Sequence, residues 1–511
     1  MGVKLNCRAL EESFTDQTYR KSDKKHPEKV LQIGEGNFLR GFVDWMIHQM
    51  NKQGIFNGSV VAVQPTPHGR VLPKLKEQDW LYTTILRGIS DGRKVDEAEV
   101  VPVISRGINP YEDWGQVLET AASEELELII SNTTEAGITY VQEPYRHDSS
   151  PMSFPGKLTA LLYHRYRYFS GDINAGVHIL PCELIEENGG KLKCIVKQIA
   201  RDWNLSEGFL RWLETANRFY DTLVDRIVTG YPKSNAADFS SKLGYEDTFL
   251  TVGEPYHLFC IDGSEEIKQV FPLDQAGLNV KWGDIERYRE LKVRLLNGPH
   301  TMIASAGYLA GADTVLDVME DETLRMFVEC GFDEIGETLP FAKQEKLDYA
   351  EEVKHRFLNP YNRHYLQDIS MNAVAKFKSR LLPTLIKYTE KTGRIPESVV
   401  LALAAILVFY RPVHINDTGI VGVRNGQNYQ TREGEVVSKA LAKSWEEYRL
   451  EKVGVEEFVF SVLGNLAIWD EDLNEIEQLT QTVGKYVQQI LSVGMKGTIS
   501  QMLQKSYSSL S

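Results

Sequence analysis

The first half of the chain alternates short apolar runs with amphipathic stretches. Four runs rich in Val, Ile and Leu are bounded by glycine, proline or small polar residues, the punctuation typical of strands. They predict buried strands at Lys29–Ile33, Ser59–Val63, Leu126–Ser131 and Val177–Leu180. Together with the helical periodicity between them, these strands predict an N-terminal α/β domain with a Rossmann-like parallel sheet.

From about Trp282 the pattern changes to helical periodicity. We therefore predict a domain boundary near residues 275–285, with a Rossmann-like domain at 1–280 and an all-helical domain at 281–511. One of the predicted helices is Leu291–Leu309, in which Pro299 can kink or restart the helix. The longest apolar run, Val399–Tyr410, is too short to span a bilayer and is predicted to be a buried helix.

Net charge and cysteine content limit which binding partners and which cellular compartment are expected. The formal net charge of −14 argues against nucleic acid, whose phosphates need a basic surface. Five scattered cysteines without a C-x-x-C pattern suggest reduced thiols in a cytosolic protein. The first thirty or so residues lack the apolar core of a signal peptide. We expect a cytoplasmic protein with a small-molecule substrate, as a monomer or small homo-oligomer, and no membrane partner.

The first predicted strand leads into a glycine turn and then a helix. Gly34 and Gly36 form a G-x-G turn, a context in which backbone N–H groups can bind a pyrophosphate. The third glycine position of the full fingerprint holds Leu39. After the second strand, Gln64 occupies the position that discriminates a ribose hydroxyl from a 2′-phosphate, and because it is neutral it leaves NAD and NADP both open.

The third predicted strand is followed by the small polar sequence Asn-Thr-Thr-Glu. Residues after a parallel strand lie where such sheets bind ligands, so Asn132, Thr133 and Glu135 are candidates for the nicotinamide side of the site. An equally good interpretation of this sequence is that the same residues cap a helix.

Lys292, Asn297 and His300 stand at spacings of five and three. On an α-helix these offsets give one broad polar face. A lysine among apolar neighbours, with two arginines close by in sequence, has reasons to lose its proton and can act as a general base. The amide and imidazole could then hold an alcohol or carbonyl oxygen. The alternative is an ordinary solvated lysine before an Asn-Gly-Pro turn.

These segments together resemble a known family. Lys-x-x-x-x-Asn-x-x-His within KVRLLNGPH, G-x-G-x-F-x-R at Gly34–Arg40 and the VDRI sequence at 224–227 are similar to polyol-specific long-chain dehydrogenases, which include mannitol dehydrogenases and hexuronate reductases. VDRIVTGYP and EPYHLF are similar to the hexuronate-reducing branch. The resemblance implies NAD, no metal, and Lys292 as the base in the interconversion of D-tagaturonate and D-altronate. Fructuronate and uncharged polyols such as mannitol are the alternatives within the family.

The resemblance also extends the set of site residues. It assigns an oxygen-binding asparagine to Asn188, although Cys182-Glu183-Leu184 departs from the Cys-Asp-Asn usual just before it. Arg380, and after it Lys378, is the candidate for binding a carboxylate, with a solvated basic helix face as the alternative. The cleft between the domains is expected to hold the nicotinamide against Lys292. The predicted cofactor-binding residues are Ile33, Gly34, Glu35, Gly36, Asn37, Phe38, Leu39, Arg40, Gln64, Asn132, Thr133 and Glu135.

Two other classes remain open from the sequence. A 6-phosphogluconate-type dehydrogenase would also join a Rossmann domain to helices, but no phosphate-binding cluster is evident. A redox-sensing binding protein could retain NAD without chemistry. The intact set Lys292, Asn297 and His300 favours an enzyme over such a sensor.

Overall fold

The computed structural model of the chain describes residues 3–13, 26–416 and 419–508, without the side chains of 11–13, 135 and 506–508. The chain divides into two compact units. Unit 1 comprises Met1–Arg87 and Lys94–Tyr288, and unit 2 comprises Gly88–Arg93 and Arg289–Ser511.

Unit 1 is built on a six-stranded sheet in which every pair of neighbouring strands is parallel. The strand order β5-β2-β1-β6-β7-β8 is that of a doubly wound dinucleotide-binding sheet. Its strands are β1 (Glu28–Ile33), β2 (Ser59–Val63), β5 (Ile104–Ile108), β6 (Leu128–Ser131), β7 (His178–Pro181) and β8 (Arg218–Phe219).

The central strands are covered on both faces. Successive residues of β1 alternate between two apolar clusters, with Val30 in one and Leu31 and Ile33 in the other. Met46 belongs to the first cluster and Leu158 to the second. Because strands buried on both faces need few polar positions, they are visible in the sequence as continuous apolar runs.

Two smaller sheets, formed mainly by unit 1, have the orders β10-β11-β3-β4 and β13-β12-β9. Their strands are β3 (Tyr82–Ser90), β4 (Arg93–Val101), β9 (Thr222–Asp225), β10 (Val228–Gly230), β11 (Thr251–Gly253), β12 (Leu258–Ile261) and β13 (Val280–Trp282). The helices are α1 (Cys7–Ser13), α2 (Asn37–Gly41), α3 (Val43–Lys52), α4 (Val71–Lys76), α5 (Trp114–Ala121), α6 (Phe154–Tyr168), α7 (Asn188–Asp202), α8 (Glu207–Thr215), α9 (Ala236–Leu243), α10 (Glu265–Val270) and α11 (Ile285–Leu291).

Unit 2 is mainly helical and is packed around one apolar helix, α19. Every residue of α19 after its first is buried, and the helix contacts α12 and α23, as expected for a helix that is apolar all round. The prediction of a buried helix here is confirmed. The helices are α12 (Gly298–Leu309), α13 (Val315–Glu320), α14 (Glu322–Thr338), α15 (Lys343–Phe357), α16 (Leu366–Ile369), α17 (Ala373–Arg380), α18 (Leu382–Thr392), α19 (Glu397–Phe409), α20 (Glu435–Arg449), α21 (Val455–Leu463), α22 (Leu466–Trp469) and α23 (Leu479–Ser508).

Unit 2 also contains a small antiparallel sheet, so it is not helical throughout. The strands are β14 (His414–Asn416), β15 (Gly419–Arg424) and β16 (Gln427–Gln430). Asn425 and Gly426, with φ of 51° and 78°, form the two-residue turn between β15 and β16, and Asn-Gly is the usual sequence for such a turn. The strands are short and partly polar, which is why helical periodicity alone missed them.

The predicted combination of a Rossmann-like parallel sheet and a helical C-terminal domain is confirmed by this architecture, with the small sheet of unit 2 as the one addition to a domain predicted to be all-helical. Across residues 3–13, 26–416 and 419–508, no helix combines the length and apolar character needed to cross a membrane.

Candidate active site

The order of the parallel strands reverses between β1 and β6, and predicted cofactor-binding residues follow both strands. Gly34 follows β1 with a φ of 123°, and its N–H donates to the carbonyl of Val63 at 3.0 Å. A Cβ at Gly34 would lie 2.8 Å from the carbonyl oxygen of Asn132, which follows β6. This φ and this close approach both require glycine, so Gly34 shapes the turn at the point where such sheets bind dinucleotides.

Gly36 stands beside open space at the start of α2. No described atom lies within 4 Å of the position that its Cβ would take. Within the described residues, no side chain caps the first N–H groups of α2. Uncapped N–H groups that adjoin open space at this edge of a parallel sheet fit the pyrophosphate of a dinucleotide.

Arg40 stabilises the turn at Gly34–Asn37 through hydrogen bonds. Its guanidinium donates to the carbonyl of Glu35 and, at 2.6 Å, to Oδ1 of Asn37. It also lies over the rings of Tyr82 and Phe249, at 5.7 and 5.2 Å from their centroids. Because Arg40 is buried and its donors point to the turn, its contribution to a cofactor site is to hold Gly34–Asn37 in place.

The other residues of the predicted run are mostly structural. Ile33 and Leu39 belong to the two apolar clusters of the sheet, and Phe38 stacks on Phe42 with the ring centroids 4.9 Å apart. Leu39 therefore fills the third glycine position of the fingerprint with a core side chain. Burial raises the pKa of Glu35 to about 7, against backbone hydrogen bonding and the charge of Arg40.

Asp44 is the second residue of α3 and is fully buried. Its Oδ2 accepts from Tyr82 Oη at 3.3 Å and from Gln32 Nε2 at 3.5 Å, whereas Oδ1 has no hydrogen-bond partner in the described part of the chain. Burial raises the pKa of this carboxyl from 3.8 to about 7. The folded state therefore holds this proton more tightly than the unfolded state, and stability is lost as pH rises between these two values.

Replacing Asp44 by asparagine is expected to flatten the dependence of stability on pH. One proton taken up on folding corresponds to a slope of at most about 1.4 kcal/mol per pH unit, which the variant should lack between about pH 4 and 7. Thermal midpoints of wild type, Asp44→Asn and the exposed control Asp91→Asn, measured across this range, test it. Parallel profiles for wild type and Asp44→Asn would contradict the assignment.

Gln64 directly follows β2, and its side chain is buried. Its amide donates to the carbonyl of Thr66 at 2.7 Å, so the side chain is held by its own loop. The position that distinguishes a ribose hydroxyl from a 2′-phosphate is therefore neutral and fixed.

The loop after β6 is tied to the loop after β7 by Glu183. The backbone N–H and Oγ1 of Thr133 both donate to Oε1 of Glu183 at 2.9 Å, and Ser131 donates to Oε2 at 3.0 Å. The amide of Asn132 donates to the carbonyl of Cys182 at 2.7 Å. Burial raises the pKa of Glu183, and these hydrogen bonds oppose the shift. Glu135 follows in the same loop, and its side chain lies outside the described residues.

Asn188 is buried with its amide fully engaged. Nδ2 donates to the carbonyls of Pro181 and Glu183 at 3.0 and 3.1 Å and contacts Thr222 Oγ1 at 3.1 Å. Oδ1 accepts from the backbone N–H groups of Gly189 and Thr222 at 2.9 and 2.8 Å. In this arrangement Asn188 links two loops of unit 1, and the oxygen-binding role predicted for it would require these bonds to be exchanged.

The VDRI and EPYHLF segments, which carried part of the resemblance, are joined by Arg226. Its guanidinium donates to the carbonyls of Glu254 and Gly41 at 2.7 and 2.9 Å and lies 4.1 Å from the ring centroid of Trp45. Oε1 of Glu254 accepts from the N–H of Ile227 at 2.7 Å. Both segments therefore hold unit 1 together.

The predicted helix Leu291–Leu309 is interrupted near Pro299. The segment Lys292–Asn297 is π-helical, and α12 begins after it. The N–H of Gly298 donates to the carbonyl five residues earlier, at Val293, as expected for a π-turn. Pro299 has no N–H to donate and interrupts the regular bonding next to it.

This π-helix corrects the predicted geometry of the lysine motif. A rotation of about 100° per residue placed Lys292 and Asn297 about 140° apart on an α-helix. In a π-helix, each turn contains an additional residue, so residues five apart lie closer to the same side. Lys292 and Asn297 are partly buried and lie at the two ends of the segment. Their side chains therefore leave the helix in more similar directions than the sequence pattern predicted.

Unlike Asn188, Asn297 and His300 have side-chain hydrogen-bonding atoms that could contact a substrate. The Asn297 side chain is partly buried and makes no hydrogen bond within the described chain. The ring of His300 lies 4.2 Å from that of Phe357 and 4.9 Å from that of His364, centroid to centroid. Burial, reinforced by neighbouring cationic side chains, lowers the pKa of His300 well below its usual value. A neutral imidazole offers one donor and one acceptor nitrogen.

The two residues proposed to bind a carboxylate lie on different sides of α17. Nη1 of Arg380 donates to Thr301 Oγ1 at 3.2 Å, next to His300 on α12. Lys378 instead pairs with the exposed carboxylate of Asp470 at 2.6 Å. Residues two apart on a helix do not share a face, so the structure brings Arg380, and not Lys378, to the neighbourhood of His300.

Arg356 and His364 lie near His300, and Lys376 lies near His364, although the sequence did not indicate these three as site residues. Lys376 precedes Arg380 by four residues, a spacing that places both on one face of α17. That signal was present in the sequence. The convergence of His364 and Arg356 depends on tertiary packing and has no local signature. In the described ranges, no group of three or more His, Cys, Asp or Glu side chains is placed to hold a metal ion.

Family models match both parts of the chain. The Rossmann domain of mannitol dehydrogenase matches residues 28–274, and the mannitol dehydrogenase C-terminal domain matches residues 284–491. Altronate oxidoreductase of Halalkalibacterium halodurans is 47% identical over 480 residues, which is 94% of each chain. Altronate oxidoreductase of Bacillus subtilis is 42% identical over 479 residues, 93% of this chain and 95% of the relative.

Solved structures show the same fold. A substrate-free D-sorbitol dehydrogenase superimposes with a TM-score of 0.75 at 20% identity, over 93% of this chain and 95% of the other. Mannitol 2-dehydrogenase of Pseudomonas fluorescens, in a ternary complex with NAD and D-mannitol, gives 0.65 at 18% identity, over 98% and 100%. The resemblance found in the sequence is thus confirmed: the chain belongs to the mannitol dehydrogenase family and is a nicotinamide-dependent dehydrogenase that acts on a secondary alcohol.

Proposed function

We propose that the chain interconverts D-tagaturonate and D-altronate by hydride transfer with NAD. The observation that carries this proposal is the similarity, over nearly the whole chain, to two proteins named altronate oxidoreductase at 47% and 42% identity. The matched region covers 94% of this chain and so spans both matched domains.

The glycine turn would hold the cofactor, which when bound accepts or supplies the hydride. The backbone N–H groups of residues 35–37 would bind its pyrophosphate, and Arg40 keeps that turn ordered. Gln64 carries no carboxylate that would repel a 2′-phosphate, so the choice of NAD over NADP rests on the family resemblance.

Lys292 would transfer the proton that accompanies hydride transfer. In oxidation its neutral amine accepts the proton of the substrate hydroxyl, and in reduction its ammonium returns a proton to the oxygen. The available amide of Asn297 would stabilise the oxygen as it gains negative charge, and neutral His300 would orient a neighbouring hydroxyl. Asn188 has no part in this scheme, because its amide is already engaged within unit 1.

The carboxylate of the sugar acid would bind Arg380. A guanidinium can form two parallel hydrogen bonds with a carboxylate, and this one lies beside His300 through its contact with Thr301. No carboxylate of the described chain forms an ion pair with Arg380. This supports a substrate with an acidic group over a neutral polyol.

A substrate panel tests the proposal. Oxidation of NADH, followed by the loss of nicotinamide absorbance, is measured with D-tagaturonate, D-fructuronate and D-fructose, and repeated with NADPH. We expect kcat/KM to be highest for D-tagaturonate with NADH, by roughly tenfold or more over the other substrates. A preference for fructose, or no turnover of either acid, would overturn the proposed substrate.

A further inference from the structure

Helix α17 presents two cationic side chains to the same side. Lys376 and Arg380 are four residues apart, and the pKa of Lys376 is lowered first by burial and then by the charge of Arg380. The Lys376 ammonium donates to the carbonyl of Ile369 at 2.8 Å, which fixes it at the start of the helix. Two like charges held together in a partly buried position repel each other unless an anion lies between them.

The surroundings of this pair are also basic. The charge of Lys376 lowers the pKa of His364, and the ring centroid of His364 lies 4.9 Å from that of His300. Arg356 lowers the pKa of both histidines. Cationic side chains from α15 and α17 therefore surround the two histidines, and the charges of Asp368 and Glu433 oppose theirs in part.

The two carboxylates whose charges act on Lys376 and His364, Glu433 and Asp368, both have other hydrogen-bond or ion-pair partners. Oε2 of Glu433 accepts from the N–H of Val374 at 3.1 Å and from Tyr410 Oη at 2.8 Å. Asp368, which faces His364, pairs with Arg432 at 2.9 Å. Neither forms an ion pair with Lys376 in the described chain.

We propose that Lys376 is a specificity-determining residue that binds the substrate carboxylate together with Arg380, one helical turn away. This inference rests on the proposed function. The lysine supplies a point charge and the guanidinium supplies directed hydrogen bonds, so the pair selects a sugar acid over the neutral sugar of the same shape. Lys378, which pairs with Asp470, takes no part.

The test compares Lys376→Met with Lys378→Met, which removes a lysine from the same helix. Both variants and the wild type are assayed with D-tagaturonate, a neutral ketohexose and a ketohexose phosphate, and NADH binding and circular dichroism report folding. Inhibition constants for D-altronate and the corresponding neutral polyol give the same comparison without turnover. Lys376→Arg retains the charge and should recover part of the loss.

We expect Lys376→Met to lower kcat/KM for the acid by roughly 10- to 100-fold, mainly through KM, and to leave the neutral sugar within about twofold. Lys378→Met should match the wild type. Equal effects of Lys376→Met on acid and neutral sugar, or acid kinetics like those of Lys378→Met, would overturn the inference. A wild type that prefers the phosphate would also overturn it. A wild type that turns over no sugar acid would instead overturn the proposed function.

Discussion

Replacing Lys292 by methionine is expected to lower turnover by roughly 10²-fold or more, because no other group in the proposed scheme can accept the hydroxyl proton. The loss should appear in kcat and kcat/KM alike, since proton transfer belongs to the transition state and not to substrate binding. Small primary amines in solution, which can accept the proton in place of the missing side chain, should partly restore the rate of the variant.

A matched control separates chemistry from stability in this experiment. Lys387→Met removes a half-exposed lysine that pairs with Glu290 at 3.4 Å, a contact worth at most about 1 kcal/mol. It should behave as the wild type in turnover, and both variants should bind NADH normally. Normal turnover of Lys292→Met at neutral pH would rule out this lysine as the acid–base group.

Parts of the fold with a strong local pattern could be predicted from the sequence. The strands at the centre of the parallel sheet are apolar runs because helices cover both faces, and β2 was predicted with its observed bounds. Strand β5 escaped because three of its five residues are at least partly exposed, which removes the continuous apolar run. The sheet in unit 2 escaped although Asn425-Gly426 is a strong hairpin signal, because the flanking strands are short.

The candidate site was predictable only where its residues are close in sequence. The turn at Gly34–Gly36 and the lysine motif each have a local spacing that carries chemical meaning. The π-helix at Lys292–Asn297 has no such signature, since only Pro299 indicated that regular helix bonding fails nearby. Glu183 binds Thr133 across 50 residues of sequence, a contact that packing alone determines.

Replacing Gly34 by alanine is expected to abolish NADH binding and to destabilise unit 1. A φ of 123° is unfavourable for any residue with a Cβ, at a cost of about 1–3 kcal/mol. The added Cβ would also lie 2.8 Å from the carbonyl oxygen of Asn132, so the loops after β1 and β6 must move apart. Quenching of tryptophan fluorescence by NADH measures the first effect, and the thermal midpoint measures the second.

Substitutions at two other glycines distinguish the effect of a positive φ on stability from the effect of an added methyl group on NADH binding. Gly54→Ala has a positive φ of 69° and no described atom within 4 Å of the new Cβ, so it should show a modest loss of stability and normal NADH binding. Gly36→Ala also meets open space, and its φ of −72° is unstrained, so it should fold normally. If the open space beside Gly36 receives the pyrophosphate, however, this variant should bind NADH at least about tenfold more weakly, because the methyl group would keep the phosphates from the backbone. Normal NADH binding by both Gly34→Ala and Gly36→Ala would remove the glycine turn from the cofactor site.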